Sequence, residues 1–99
     1  MAVAYITEFE RPQDGPTFPM QAAYMNNVTN QYLAVGAEVK SSAFAASTKF
    51  IRFHTDAACH IAFGANPTAV NAQSMRLAAG QTEYFGVNPG EKVSVIASS

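Results

Sequence analysis

KFIRFHTDAACHIAFGANPTAVNAQSMRLAAGQTEYFGVNPGEKVSVI, residues 49–96, is the stretch on which the fold turns. Apolar and aromatic residues recur in short runs, each closed by Gly, Pro, Asn or Asp, the pattern of a small antiparallel β domain. Thr48 to His54 reads as its clearest strand, with Ile51 and Phe53 on one face and Phe50, Arg52 and His54 on the other. Cys59 to Phe63 reads as the next, with Cys59, Ile61 and Phe63 sharing a face. Asp56-Ala57-Ala58 between them suits a three-residue hairpin connection. Pairing Thr55 with Cys59 sets Phe53 against Ile61 and Ile51 against Phe63, all four toward the core. A one-residue slip would turn these pairs away from each other. The same register places His54 opposite His60 on the outer face.

Working outward, Ser74 to Ala78, Gln81 to Val87 and Glu91 to Ala97 read as strands, the last with Val93 and Val95 on one face and Lys92, Ser94 and Ile96 on the other. Ala79-Gly80 is a turn, and Asn88-Pro89-Gly90 places Gly where a positive φ is needed. GANPTAVNAQ (64–73) is a polar loop. Toward the N-terminus, Ala2 to Phe9 is a first strand. Arg11 to Met20 holds three of the five prolines; lacking N–H groups to give a ladder, this stretch is expected to be an extended loop or arm. Residues 21–35 suggest two short strands around Asn26-Asn27 and Asn30-Gln31, with a short helix over 20–26 as the alternative. Residues 37–40 and 42–46 suggest two strand fragments. The expected fold is all-β: a small antiparallel sandwich, jelly-roll-like or Ig-like, or a barrel, of about seven or eight short strands. One domain spans 1–99, with 10–20 its extended segment.

Composition narrows the function. Charged residues are only 13% of the 99, which leaves little strongly solvated surface and suggests contact with other proteins. The net charge of −1, with scattered basic residues, gives no counterion-displacing surface, so neither nucleic acid nor anionic membrane is an expected partner. Cys59, the single cysteine, has no internal disulfide partner. The start, MAVAYITEFERP, lacks a basic n-region and meets Glu8 and Glu10 early, so synthesis in a reducing cytoplasm is expected.

Little in the chain is equipped for chemistry. His54 and His60, if opposed, would make a pH-sensitive pair or half of a zinc site, against the plainer reading of two surface histidines. Cys59 and His60 cannot act as a nucleophile pair, because adjacent strand residues face opposite ways. Glu83 and Glu91 have no spacing that selects them as a carboxylate pair; Arg76 and Glu83 read as cross-strand neighbours over the Ala79-Gly80 turn. No phosphate-cradling, H-E-x-x-H or G-x-S-x-G pattern occurs. No catalytic, metal or cofactor residue is assigned, and the chain is not expected to be an enzyme. Tyr84-Phe85 stands apart: adjacent aromatics on a strand face opposite sides, so one leaves the core and is covered within the domain or by a partner.

Two pieces, AFAASTKFIRFHTDAACHIAFGANPTA (43–69) and SMRLAAGQTEYFGVNPGEKVSVI (74–96), resemble a family of small, roughly hundred-residue proteins of tailed phages and prophages. The resemblance lies in FGxNPTA and in the L-x-A-x-x-x-E-Y-F-x-V-x-P-G-x-K-V-x-V-I run. It covers just over half the chain; residues 1–42 match only in broad character. It implies a virion component and carries over no catalytic residue. The expectation is therefore a phage structural protein located in the virion, foremost a capsid decoration or cement protein that binds the major capsid protein as a homo-oligomer. The alternatives are a head–tail connector or tail accessory, and a carbohydrate- or ligand-binding module using loop 64–73 and the asparagines at 26, 27 and 30. Candidate partner contacts are Arg11, Pro12, Pro16, Phe18, Pro19, Phe50, Asn66, Pro67, Tyr84 and Phe85.

Overall fold

Among the residues it describes, which are 2–14, 19–23, 25 and 28–98, the computed structural model has ten strands and no helix. They are β1 (Val3–Phe9), β2 (Pro12–Asp14), β3 (Pro19–Ala23), β4 (Thr29–Ala34), β5 (Val39–Lys40), β6 (Phe50–Thr55), β7 (Cys59–Gly64), β8 (Met75–Leu77), β9 (Thr82–Gly86) and β10 (Lys92–Ala97). Eight form two four-stranded antiparallel sheets: sheet A in the order β4-β1-β6-β9 and sheet C in the order β5-β10-β7-β8. The fold is thus a small all-β sandwich. β2 and β3 pair as a separate two-stranded ribbon, sheet B, that interrupts the β1–β4 hairpin, with Pro12 opposite Ala23 and Asp14 opposite Pro19. The proline-containing stretch thereby gains a ladder of its own.

Alternation builds the core. Ala4 and Ile6 of β1 and Ile51 and Phe53 of β6 face inward from sheet A. They meet Cys59 and Ile61 of β7, Leu77 of β8, and Val93 and Val95 of β10. Phe44 closes the same cluster from the segment between β5 and β6. That segment, expected to be strand over 42–46, is irregular but follows β10: the Ser41 amide donates to the Val93 carbonyl and the Phe44 amide to the Glu91 carbonyl.

The expected β6–β7 hairpin is not what forms. β6 lies in sheet A between β1 and β9, and β7 lies in sheet C between β10 and β8. The chain crosses the sandwich at Asp56–Ala58, so Phe53 and Ile61 share the core from opposing sheets instead of standing side by side. The crossing is fixed locally: Thr55 Oγ1 donates to the Ala57 carbonyl at 2.6 Å, and the Asp56 amide donates to the Val3 carbonyl at 3.0 Å. It also places His54 and His60 on opposite outer faces, so the two cannot form a pair. β8 and β9 separate likewise, which parts Arg76 from Glu83. Their link is a type II turn, with the Gln81 amide donating to the Ala78 carbonyl and Gly80 at φ 78°. Pro89-Gly90 makes a second such turn, with Gly90 at φ 82°, and carries the chain back from sheet A to sheet C.

Candidate functional site

The two outer faces of the sandwich differ. Loop 65–74 folds over the outer face of sheet C, burying Pro67 and Ala69. Its anchor is Ser94, fully buried on β10, whose hydroxyl accepts the Ala69 amide at 2.8 Å and donates to the Glu38 carboxylate. Lys40 Nζ lies 3.0 Å from the same carboxylate. These partners, the Ser94 hydroxyl foremost and then Lys40, hold Glu38 below the usual carboxylate range. A lowered folded-state value contributes stability above the unfolded value, 4.5, that is lost as pH falls through the folded value. Glu38→Gln is therefore expected to flatten the acid limb of the melting temperature against pH below about 4.5, which thermal melts from pH 3 to 7 measure.

Among the described residues sheet A's outer face is the more exposed, except at Phe9, which is only 4% exposed. Register alignment puts Tyr32, Tyr5, His54 and Thr82 in one row across its four strands, and Asn30, Thr7, Arg52 and Tyr84 in the next. Phe9, Phe50 and Gly86 form the third. Three tyrosines stand out from it: Tyr5 is 46% exposed, Tyr32 74% and Tyr84 59%. Tyr5 and Tyr32 are neighbours on β1 and β4, whereas Tyr84 stands on the opposite edge strand; exposed tyrosines are a residue type enriched at interaction sites. An aromatic line crosses the face: the Phe9 and Phe50 rings stack at 5.0 Å, and Phe50 meets Tyr84 at 6.4 Å. Polar groups fill the gaps. Thr7 Oγ1 donates to Asn30 Oδ1 at 2.7 Å, and His54 Nδ1 shares a 2.7 Å hydrogen bond with Thr82 Oγ1. The Asp56 carboxylate lies 3.7 Å from His54 Nε2.

Of the residues expected at a partner surface, Tyr84 and Phe50 fall on this face, Tyr84 exposed and Phe50 half-buried. Phe85, one position on, turns inward and packs on Phe63 at 5.1 Å. Asn66 is exposed, but Pro67 is buried beneath its own loop, so neither Phe85 nor Pro67 offers its side chain outward. Arg11 is exposed; Pro12 and Pro19 lie in the β2–β3 ribbon; Pro16 and Phe18 fall outside the described residues, as do the asparagines at 26 and 27. His60 is 5% exposed on the outer face of sheet C, opposite Ile96 and Arg76, and its Nδ1 is the one buried side-chain polar atom without a hydrogen bond among the described residues. Cys59 is fully buried beside Thr55, and that burial pushes its thiol up.

Tyr5, Tyr32, Phe9 and Arg52 were not among the expected contacts. The period of two could have found Tyr5, since it alternates with Ala4 and Ile6. Glu8, a carboxylate in the third core-facing slot, breaks the apolar pattern that would have marked the faces of β1. No family model matches this chain, and no curated protein or solved structure is significantly similar to it.

Proposed function

We propose that this protein is a structural subunit of a tailed-phage virion, in first place a capsid decoration protein that stabilises the head by protein–protein contact. The observation that carries the reading is the exposed tyrosine-bearing face of sheet A. The resemblance of residues 43–96 to phage-encoded proteins supports it, as does a charged fraction too low for a surface wholly given to water. In this reading each copy buries aromatic surface against shell subunits and neighbours. Many modest contacts on a symmetric lattice then add through multivalency. A place at the head–tail junction or on the tail would use the same surface. The test is quantitative mass spectrometry of purified virions: the protein is expected at many copies per particle, and its absence from the particle would refute the reading.

A second reading follows from the composition of the same face. Tyrosines interleaved with Asn30, Thr7, Thr82 and Arg52 offer ring faces for C–H surfaces and donors for hydroxyls, which suits a carbohydrate. Affinity electrophoresis in gels cast with polysaccharide separates the two, because only a glycan binder is retarded, and Tyr84→Ala should then restore its mobility.

A further inference from the structure

The two sheets treat their edges differently. Sheet C ends in β5, two residues long, and β8, three residues long; such short edges discourage pairing with other chains. Sheet A ends in β4, six residues, and β9, five. β4 has no charged residue and β9 only Glu83, and neither contains Lys or Pro. These are the devices that ordinarily protect an exposed edge.

The hydrogen bonds to β6 and β1 fix which backbone groups each edge leaves pointing outward. The Val87 amide donates to the Lys49 carbonyl and the Thr55 amide to the Gln81 carbonyl, so residues 81, 83, 85 and 87 spend their backbone groups on β6. Thr82, Tyr84 and Gly86 point theirs away from the sheet. On the other side the Val35 amide donates to the Ala2 carbonyl, so residues 29, 31 and 33 bond β1, and Asn30, Tyr32 and Ala34 point theirs away. Among the described residues no further strand pairs with either edge.

We infer that sheet A continues into a second copy of this chain, β9 of one copy pairing antiparallel with β4 of the next and Tyr84 standing opposite Tyr32. The inference rests on the reading of the protein as an assembly subunit and names the surface through which it assembles. Three conditions had to hold together. The edges must run in opposite directions, and in an alternating four-stranded sheet β4 and β9 do. The residues with outward backbone groups must lie on the same face of the sheet at both edges, or the faces would be exchanged across the junction. Tyr84 and Tyr32 both lie on the outer face. Finally, the side chains brought together must gain by it. Tyr32 and Tyr84, the two most exposed aromatic residues described, would cover each other, and the aromatic line from Phe9 through Phe50 to Tyr84 would run on to Tyr32 and Tyr5 of the next copy. On the inner face the half-buried Phe85 would come diagonal to the half-buried Leu33. Because two different edges meet, the contact is head-to-tail and generates a closed ring or an open filament.

The test uses Tyr32→Cys and Tyr84→Cys in the full chain. Opposed residues of a hydrogen-bonded antiparallel pair have Cα atoms about 5.5 Å apart, within disulfide range. Cys59, buried, stays silent in the folded protein. An oxidised mixture of the two single variants should give a mixed disulfide dimer, and a chain carrying both changes a ladder of covalent multimers. Either single variant alone should give none. Sedimentation of Tyr84→Lys should show loss of the oligomer with an unchanged β-sheet circular dichroism spectrum. Efficient disulfide dimers of one single variant alone would overturn the inference in favour of a two-fold contact, as would a wild-type chain that sediments as a monomer at 100 µM (about tenfold above a 10 µM dissociation constant). Abundance in virions without the mixed dimer would overturn this interface and leave the functional reading standing. The mixed dimer from a protein absent from virions would support the interface and refute that reading.

Discussion

Glu8→Ala is expected to lower the melting temperature by about 10–20 °C, the consequence of losing about 2–4 kcal/mol in a domain this size. Glu8 is 3% exposed, inside the sandwich. Its carboxylate accepts the Thr48 hydroxyl at 2.7 Å, the Ala45 amide at 2.9 Å and Gln31 Nε2 at 3.0 Å. Gln31 passes the connection on, its Oε1 accepting the Ser42 amide at 3.0 Å. One side chain on β1 therefore fastens both β4 and the 41–48 segment that carries Phe44 into the core. Alanine leaves a buried hydroxyl and a backbone amide without acceptors, and each such orphan costs roughly 1–3 kcal/mol. Glu8→Gln keeps one acceptor oxygen but turns an NH₂ group toward donors, so its loss should be smaller yet clear. Thermal melts followed by circular dichroism decide the matter: a fall of less than about 3 °C for Glu8→Ala would mean the carboxylate is not what holds this segment.

That network also shows what the sequence conceals. The inward and outward residues of β6, β7, β9 and β10 are legible from a period of two, because burial on one face of a strand imposes it whatever the strand's neighbours are. The neighbours themselves are another matter. Phe53 and Ile61 reach the core whether their strands lie side by side in one sheet or face each other across two, so alternation cannot choose between these arrangements. The connection could have chosen. A three-residue hairpin ordinarily places Gly at a left-handed position, and Asp56-Ala57-Ala58 offers none. The His54–His60 and Arg76–Glu83 pairs both require neighbouring strands that the structure places in different sheets, so neither forms. In the same way a charged residue in the inward slot of β1, satisfied by three donors, breaks the apolar alternation that would mark Tyr5 as outward.

Phe53→Ala should be the most damaging single change, at about 3–5 kcal/mol, against a total stability of roughly 5–15 kcal/mol for a natural domain. Phe53 is fully buried on β6, which has partners on both sides, Ile6 of β1 and Glu83 of β9 in register with it. No exposed element could relax into the space its ring vacates without breaking one of the two ladders. The expected result is a fall in melting temperature of about 15–30 °C, or failure to fold at 37 °C, with Phe53→Leu losing only about 1–2 kcal/mol. Tyr84 lies on the next strand of the same sheet but faces the other way. Its replacement by Ala should move the stability of an isolated copy by no more than about 0.5 kcal/mol. The contrast separates holding the sandwich together from offering a surface to a neighbour. Tyr84→Ala, folded but poor at assembling or at binding particles, would assign the outer face its part. Phe53→Ala melting within about 3 °C of the wild type would instead mean that β6 is not the central strand of this sheet.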